Sequence, residues 1–177
     1  KAIELCPQPV IGAINGVAIT GGFEVALACD ILIASTNARF ADTHARVGIL
    51  PGWGLSQKLS RIVGISRAKE LSLTGNFLAA DTACDWGLVN RVVAPDELLP
   101  VAQALARDIA SIDPATVQTY KRLIDDGYVV PFGEALALEH RTTSAANRWV
   151  RAAEVEARRL AVMQRGRERA GEELARS

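Results

Sequence analysis

Residues 11 to 30 read IGAINGVAITGGFEVALACD, and this stretch decides the fold. Its apolar, partly β-branched start ends at the dipeptide Asn15-Gly16, which predicts a buried strand followed by a turn. Gly21 and Gly22 then open a segment that is apolar apart from Glu24, so we expect a short helix that begins at the glycines. The N–H groups of a first helical turn have no partner within the helix, and the helix dipole favours negative charge there. The stretch therefore predicts a helix start that suits a developing oxyanion.

Glu24 allows two interpretations at this point. A carboxylate flanked by Phe23 and Val25 in an otherwise apolar helix either faces solvent or is there for chemistry. A Gly-Gly-x-Glu pattern is short, and by itself it is weak evidence for a site. The residues alone leave both interpretations open.

Outside this stretch, apolar runs and helical periods alternate and then give way to helices alone. Extended runs are expected at 31–34, 38–41 and 88–93, and helices at 54–63, 66–73, 79–86 and 95–111. The last of these helices has Asp96 as its expected N-cap. After Asp113-Pro114, helical periods cover residues 115–126, 132–147 and 152–165. We therefore expect an α/β fold with βαβ packing and a sheet buried on both faces, followed by a helical region.

The composition narrows the class of protein. The chain has 177 residues, 49% of them hydrophobic and 23% charged, which is typical of a globular domain with a real core. Lys and Arg balance Asp and Glu at 20 each, so charge gives no reason to expect nucleic acid or a membrane as partner. Cys6, Cys29 and Cys84 lack C-x-x-C spacing, which favours reduced thiols in a cytoplasmic protein over a zinc site or disulfides.

A longer stretch of the sequence, which includes the glycine pair and Glu24, resembles the signature of a known family. From Pro9 to Asp30 the chain reads P-V-I-G-A-I-N-G-x-A-x-x-G-G-x-E-x-A-L-A-C-D, which is very similar to the signature of the enoyl-CoA hydratase/isomerase (crotonase) family. Later motifs fit in order and spacing, namely ARF at 38–40, GILPGWG at 48–54, QKL at 57–59, and residues 68–75 and 79–93. The match is strong up to Val93 and looser over the helical tail.

The resemblance implies an architecture. Residues 1–113 would form the C-terminal part of a crotonase-like ββα spiral core, and residues 114–177 a helical trimerisation or lid region. Lys1 to Pro7 read like the end of a helix before a proline-containing loop. We therefore expect the N-terminal strands and helices of the family to precede this sequence.

The resemblance also implies a chemistry. Crotonase-family proteins bind acyl-CoA thioesters and stabilise an enolate-like thioester oxygen with two backbone N–H groups. Gly21 matches one of these donors, and the other comes from a loop N-terminal to this sequence. Glu24 matches the first of two catalytic glutamates in the hydratases, which positions and deprotonates water. No cofactor or metal is implied, because coenzyme A is part of the substrate.

The same comparison implies a binding loop. Contacts with the substrate are expected from Gly22, Pro51, Gly52 and Trp53. Trp53 stands beside the region that lines the acyl pocket in the family. Its ring could select the shape of the acyl chain or simply pack, and both interpretations remain open.

The sequence departs from the family at one informative position. The second hydratase glutamate should lie twenty residues after Glu24, and that position is His44. Imidazole titrates near neutral pH and can do acid–base work, although it is not isosteric with a carboxylate. Asp42 is close enough in sequence to orient it. The alternative is a packed or substrate-contacting histidine with no role in proton transfer.

Together these features predict an enoyl-CoA hydratase-type lyase of fatty acid metabolism that adds water to a trans-2-enoyl-CoA. Another crotonase-type reaction, such as double-bond isomerisation or thioester hydrolysis, is the alternative within the fold, and a non-catalytic acyl-CoA binding protein is the alternative outside enzymes. Assembly as a homotrimer or hexamer is expected from the family. The arginine-rich tail and His140 are expected on solvated helix faces, although the family also allows tail arginines to meet coenzyme A phosphates.

Overall fold

A computed structural model describes residues 1–176 of the chain, with the side chains of all of these except 149, 169 and 172–176. The contacts divide the chain into two compact units, Lys1–Arg122 and the residues from Leu123 onward. The boundary that the family resemblance implies lies at residue 113. The roles expected for the two segments on either side of it, a spiral core and a trimerisation or lid region, stay predictions.

Two small sheets form the strand part of the first unit. The first holds β1 (Ile11–Ile14), β3 (Ile31–Ser35) and β6 (Arg91–Val93), all parallel, in the order β1-β3-β6. The second holds β2 (Val17–Ile19), β4 (Arg39–Ala41) and β5 (Leu78–Ala79), with β2 and β4 parallel and β5 antiparallel to β4. The run from 11 to 19 thus divides between two sheets at the predicted turn.

Eight helices accompany the strands among the described residues. They are α1 (Gly21–Leu27), α2 (Leu55–Val63), α3 (Ile65–Thr74), α4 (Ala80–Asp85), α5 (Leu98–Ala110), α6 (Pro114–Tyr128), α7 (Phe132–Ala146) and α8 (Ala152–Arg176). Short 3-10 turns lie at Ala45–Val47 and Asn147–Trp149. None of the helices within residues 1–176 combines the length and the apolar character that crossing a membrane requires.

The first sheet is buried on both faces, as predicted. Leu32 and Ala34 of β3 join the main core cluster, whereas Ile33 between them joins a second cluster with Leu98 and Ala102 of α5. Successive side chains of a strand point to opposite faces, so this division means that each face has its own apolar cover. The continuous apolar run of β3 is the sequence signature of that arrangement.

The main core cluster fixes α1 in place. The rings of Phe23 on α1 and Phe40 on β4 lie 5.4 Å apart, and neither side chain is exposed. Leu55 and Leu59 of α2 belong to the same cluster and are also fully buried. Because Phe23 is anchored in this way, the neighbouring residues of the first turn of α1 are held at a defined position.

The structure corrects one helix start. Asp96 is not the N-cap of α5, because the helix begins at Leu98 and Glu97 occupies the N-cap position without a side-chain cap. The Glu97 N–H bonds to the Ala94 carbonyl at 3.0 Å, so Asp96 lies inside a tight turn instead. The strand expected at 88–93 is also shorter, since only Arg91–Val93 pairs with β3.

We expect Gly12→Ala to lower the free energy of unfolding by about 1–3 kcal/mol, which urea denaturation measures. A Cβ at position 12 would lie 2.6 Å from Leu32 Cδ2 and 3.2 Å from Cys29 Sγ, and Leu32 is buried with little room to move. Gly16→Ala is the matched control, because no atom lies within 4 Å of a Cβ there. Equal stability of the two variants would contradict the close packing between β1 and β3.

Candidate active site

The parallel register of β2 and β4 builds the site. Ile19 pairs with Ala41, so the chain segments that follow both strands leave the second sheet at the same edge. One segment enters α1 and the other leads to the 3-10 turn at Ala45–Val47. Residues that are twenty positions apart in sequence are thereby brought side by side.

Thr20 joins β2 to α1 in an unusual conformation. Its φ of 52° is the only positive φ of a non-glycine residue in the described part of the chain. Such a backbone costs on the order of 1–3 kcal/mol and persists only where its surroundings fix it. Here the Thr20 N–H donates to the Ala41 carbonyl at 3.0 Å, and the Thr20 and Thr43 hydroxyl oxygens lie 2.6 Å apart.

The start of α1 leaves backbone donors outside the helical ladder. The first bond of the helix runs from the Glu24 N–H to the Thr20 carbonyl, at 3.0 Å. The N–H groups of Gly21 and Gly22 precede it and so have no acceptor within the helix. Gly21 is half-buried and Gly22 is exposed.

Glu24 is not on a solvated face, because only 4% of it is exposed. Its Oε1 accepts a hydrogen bond from the Trp53 backbone N–H at 2.6 Å, and its Oε2 lies 3.7 Å from His44 Nε2. A buried carboxylate is costly unless it is partnered, and these two groups are its partners. One oxygen is therefore held by a backbone donor while the other faces an imidazole.

His44 and Asp42 form a second buried pair. The exposed fractions are 5% for His44 and 2% for Asp42. His44 Nδ1 lies 2.6 Å from Asp42 Oδ1, and the same oxygen accepts the His44 backbone N–H at 3.2 Å. The imidazole consequently lies between two carboxylates, with one ring nitrogen toward each.

The loop from Pro51 to Gly54 brings Trp53 to the start of α1. A Cβ on Gly21 would lie 3.5 Å from Trp53 Cζ3, yet 67% of Trp53 is exposed. The ring therefore stands beside Gly21 without being packed into the core. Gly52 is exposed and Pro51 is half-buried, and their contact with a substrate stays a prediction.

Two features of this geometry were missed by sequence reasoning. The Trp53 N–H that donates to Glu24 is a backbone group, so the type of residue at position 53 cannot predict this contact. The hydroxyl pair of Thr20 and Thr43 was missed as well, although both threonines lie shortly after strands that pair in parallel. Recognising it requires the register of β2 and β4, which the sequence alone does not supply.

The remaining candidates lie outside this constellation. His140 is exposed, and the tail arginines Arg151 and Arg159 pair with Glu154 and Glu156 at 3.2 Å and 2.7 Å, as expected for solvated helix faces. All three cysteines are free and half-buried, and burial raises the pKa of the Cys29 thiol. Within the described residues, no three His, Cys, Asp or Glu side chains gather in a way that could hold a metal ion.

Comparison with known sequences gives a consistent result. The family profile described as Enoyl-CoA hydratase/isomerase matches residues 1–159. A probable peroxisomal enoyl-CoA hydratase 1 of Arabidopsis thaliana is 52% identical over 143 residues, which is 81% of this chain and 54% of the relative. A short-chain-enoyl-CoA hydratase of Clostridium acetobutylicum is 45% identical over 139 residues, 78% of this chain and 53% of the relative. A probable mitochondrial enoyl-CoA hydratase of Dictyostelium discoideum is 42% identical over 134 residues, 76% and 48% respectively.

Solved structures agree. An enoyl-CoA hydratase from Bacillus anthracis superposes with a TM-score of 0.83 at 36% identity, covering 92% of this chain and 62% of that one. One from Mycobacterium avium gives 0.65 at 51% identity, covering 80% and 65%. The chain spans about half the length of the curated relatives that it matches.

Proposed function

Because the chain belongs to the enoyl-CoA hydratase/isomerase family, we propose that the complete protein adds water to a trans-2-enoyl-CoA thioester. The observation that carries the proposal is the buried pair of Glu24 and His44, whose Oε2 and Nε2 lie 3.7 Å apart beside the start of α1. Hydration needs a base that takes a proton from water and an acid that gives a proton to the α-carbon. Glu24 is suited to the first role and His44 to the second.

Glu24 is the proposed base. Its Oε1 is already taken by the Trp53 N–H, so Oε2 is the oxygen left to accept a proton from water. In the proposed step, the hydroxyl oxygen bonds to the β-carbon and the thioester becomes an enolate. The Gly21 N–H would stabilise the enolate oxygen, and His44 would return a proton to the α-carbon.

The substrate would lie along the loop that carries Trp53. Gly22, Gly52 and Pro51 are proposed to contact the thioester, with Gly22 and Gly52 offering exposed backbone without side chains. The exposed indole of Trp53 beside Gly21 supports a role in selecting the acyl group. Coenzyme A would enter as part of the substrate, and no separate cofactor takes part in the proposed reaction.

Assembly and location are part of the same proposal. Among the described residues, α6 and α7 have no buried side chain, and Phe132, Leu136 and Val162 are at least half exposed at 78%, 50% and 69%. Exposed apolar faces of this kind are typical of helices that pack against another subunit, which supports a trimer or hexamer. A cytoplasmic location is proposed, although two relatives carry the words peroxisomal and mitochondrial in their names.

We expect Glu24→Gln in the complete protein to lower kcat with crotonyl-CoA by roughly 10²–10⁴-fold, because the amide keeps the shape but cannot take a proton. Binding of the CoA ester should be largely kept. Steady-state kinetics measure both quantities. Glu70→Gln, on the exposed face of α3, is the matched control. Unchanged turnover in Glu24→Gln would remove Glu24 from the mechanism.

His44→Ala should lower kcat, because it removes the group that is proposed to give a proton to the α-carbon. His44→Glu should keep or raise hydratase activity, since it restores the usual carboxylate of the family. His140→Ala is the control, because His140 is exposed on α7. If His44→Ala matches wild type at every pH, or folded His44→Glu is inactive, then isomerisation, hydrolysis or simple acyl-CoA binding becomes the better proposal.

Light scattering of the complete protein should give the mass of three or six copies. Leu136→Asp should shift the mass downward, because a charge would then lie on the apolar face of α7. His140→Ala on the same helix should leave the mass unchanged. A wild-type monomer would contradict the proposed assembly.

A further inference from the structure

Asp42 is a buried charged group that the proposed reaction does not yet use. Only 2% of it is exposed, and its Oδ1 serves His44 twice, through the backbone N–H at 3.2 Å and through Nδ1 at 2.6 Å. An ionised carboxylate can only accept hydrogen bonds. If Asp42 is in this ionised form, the hydrogen of the shorter bond is carried by Nδ1.

We propose that Asp42 is a positioning residue that fixes the hydrogen of His44 on Nδ1, so that Nε2 is the atom that exchanges protons with the substrate and with Glu24. The role of Nε2 rests on the proposed hydration, whereas the choice of tautomer does not. It follows from the Asp42 contact alone, since the orientation of an imidazole and its tautomer are set by the bond that the other nitrogen makes.

The backbone around His44 supports this role. The His44 carbonyl accepts the N–H groups of Val47 at 3.2 Å and Ile49 at 3.1 Å. The Arg46 N–H donates to the Thr43 carbonyl at 3.0 Å, and the Arg46 side chain bonds to the Thr74 carbonyl at the end of α3. With the backbone held on both sides, the imidazole keeps Nδ1 toward Asp42 and Nε2 toward Glu24.

The arrangement closes the proton cycle. The reaction starts with Glu24 ionised and His44 carrying a proton on both nitrogens. Glu24 Oε2 takes one proton from water as the hydroxyl adds to the β-carbon, and His44 Nε2 gives its proton to the α-carbon. The proton on Glu24 then passes to Nε2 across the 3.7 Å gap between Oε2 and Nε2, which restores the starting state. The net change is the addition of one water molecule.

The tautomer can be read directly, without turnover. In a two-bond ¹H–¹⁵N correlation spectrum of the complete protein each imidazole gives its own pattern, and the pattern that His44→Ala removes and His140→Gln leaves in place is that of His44. In the neutral form of the ring, wild-type His44 should show a protonated Nδ1 and an unprotonated Nε2. A protonated Nε2 in the wild type overturns the proposal, whether or not the protein hydrates crotonyl-CoA.

Asp42→Asn gives the second test. An amide can donate to Nδ1 as well as accept from it, so the variant should show a mixed or reversed tautomer. If the wild type hydrates crotonyl-CoA, kcat of Asp42→Asn should fall on the order of 10²–10⁴-fold with KM little changed. Asp96→Asn, at an exposed position, is the control. A wild-type tautomer in Asp42→Asn, with or without a loss of kcat, overturns the positioning role. Absence of hydration by the wild type itself would instead overturn the proposed function and leave the spectral result standing.

Discussion

The parallel pairing of β2 with β4 is the constraint on which the site depends. Three residue pairs, from Val17 with Arg39 to Ile19 with Ala41, set the register of the second sheet. A slip by one residue would turn the side chains of a strand to its other face and would separate the two segments that follow the strands. The anchoring of Phe23 against Phe40 reinforces the same register from the core side. The distance between Glu24 and His44 is thus a consequence of backbone pairing and core packing.

Burying this group of polar side chains has a cost that the surroundings offset. Glu24, Asp42 and His44 are each at most 5% exposed, and two of them are carboxylates. Removing such groups from water is unfavourable by several kcal/mol unless hydrogen bonds replace the lost hydration. In the described part of the chain, no fully buried side-chain nitrogen or oxygen lacks a hydrogen-bond partner. The strained backbone of Thr20 lies in the same region, and strain of this kind is concentrated at functional sites.

The sequence predicts the order of elements well, because their signals are local. Apolar runs and turn dipeptides locate β1 and β3, and the glycine pair locates the start of α1. Boundaries set by tertiary contacts are different. Leu88 and Val89 look like strand residues, but only Arg91–Val93 pairs with β3, and the turn around Asp96 replaces the expected cap. Which apolar stretch joins which sheet depends on pairing between distant residues, and a pattern of single residues cannot show it.

For the candidate site, sequence resemblance selected Glu24 and His44 as a pair, and the structure places their side chains face to face. The contribution of a backbone amide and the double use of Asp42 Oδ1 could not be foreseen, because neither depends on a residue type at a fixed spacing. The roles of Gly22, Pro51 and Gly52 likewise depend on where a substrate lies. The sequence thus identifies the titratable groups better than it identifies what holds them.

Trp53 makes two different contacts at the start of α1. Its indole stands beside Gly21, where the proposed substrate would lie, and its own backbone N–H holds the proposed base through Oε1 of Glu24. An acyl group that displaces the backbone of Trp53 together with its indole would also move the amide that orients the carboxylate. Discrimination between acyl chains would then be expressed in the rate of the chemical step more than in the strength of binding. A poorly fitting thioester would then bind but react slowly, because it would misalign the Glu24 carboxylate that is proposed to activate the water.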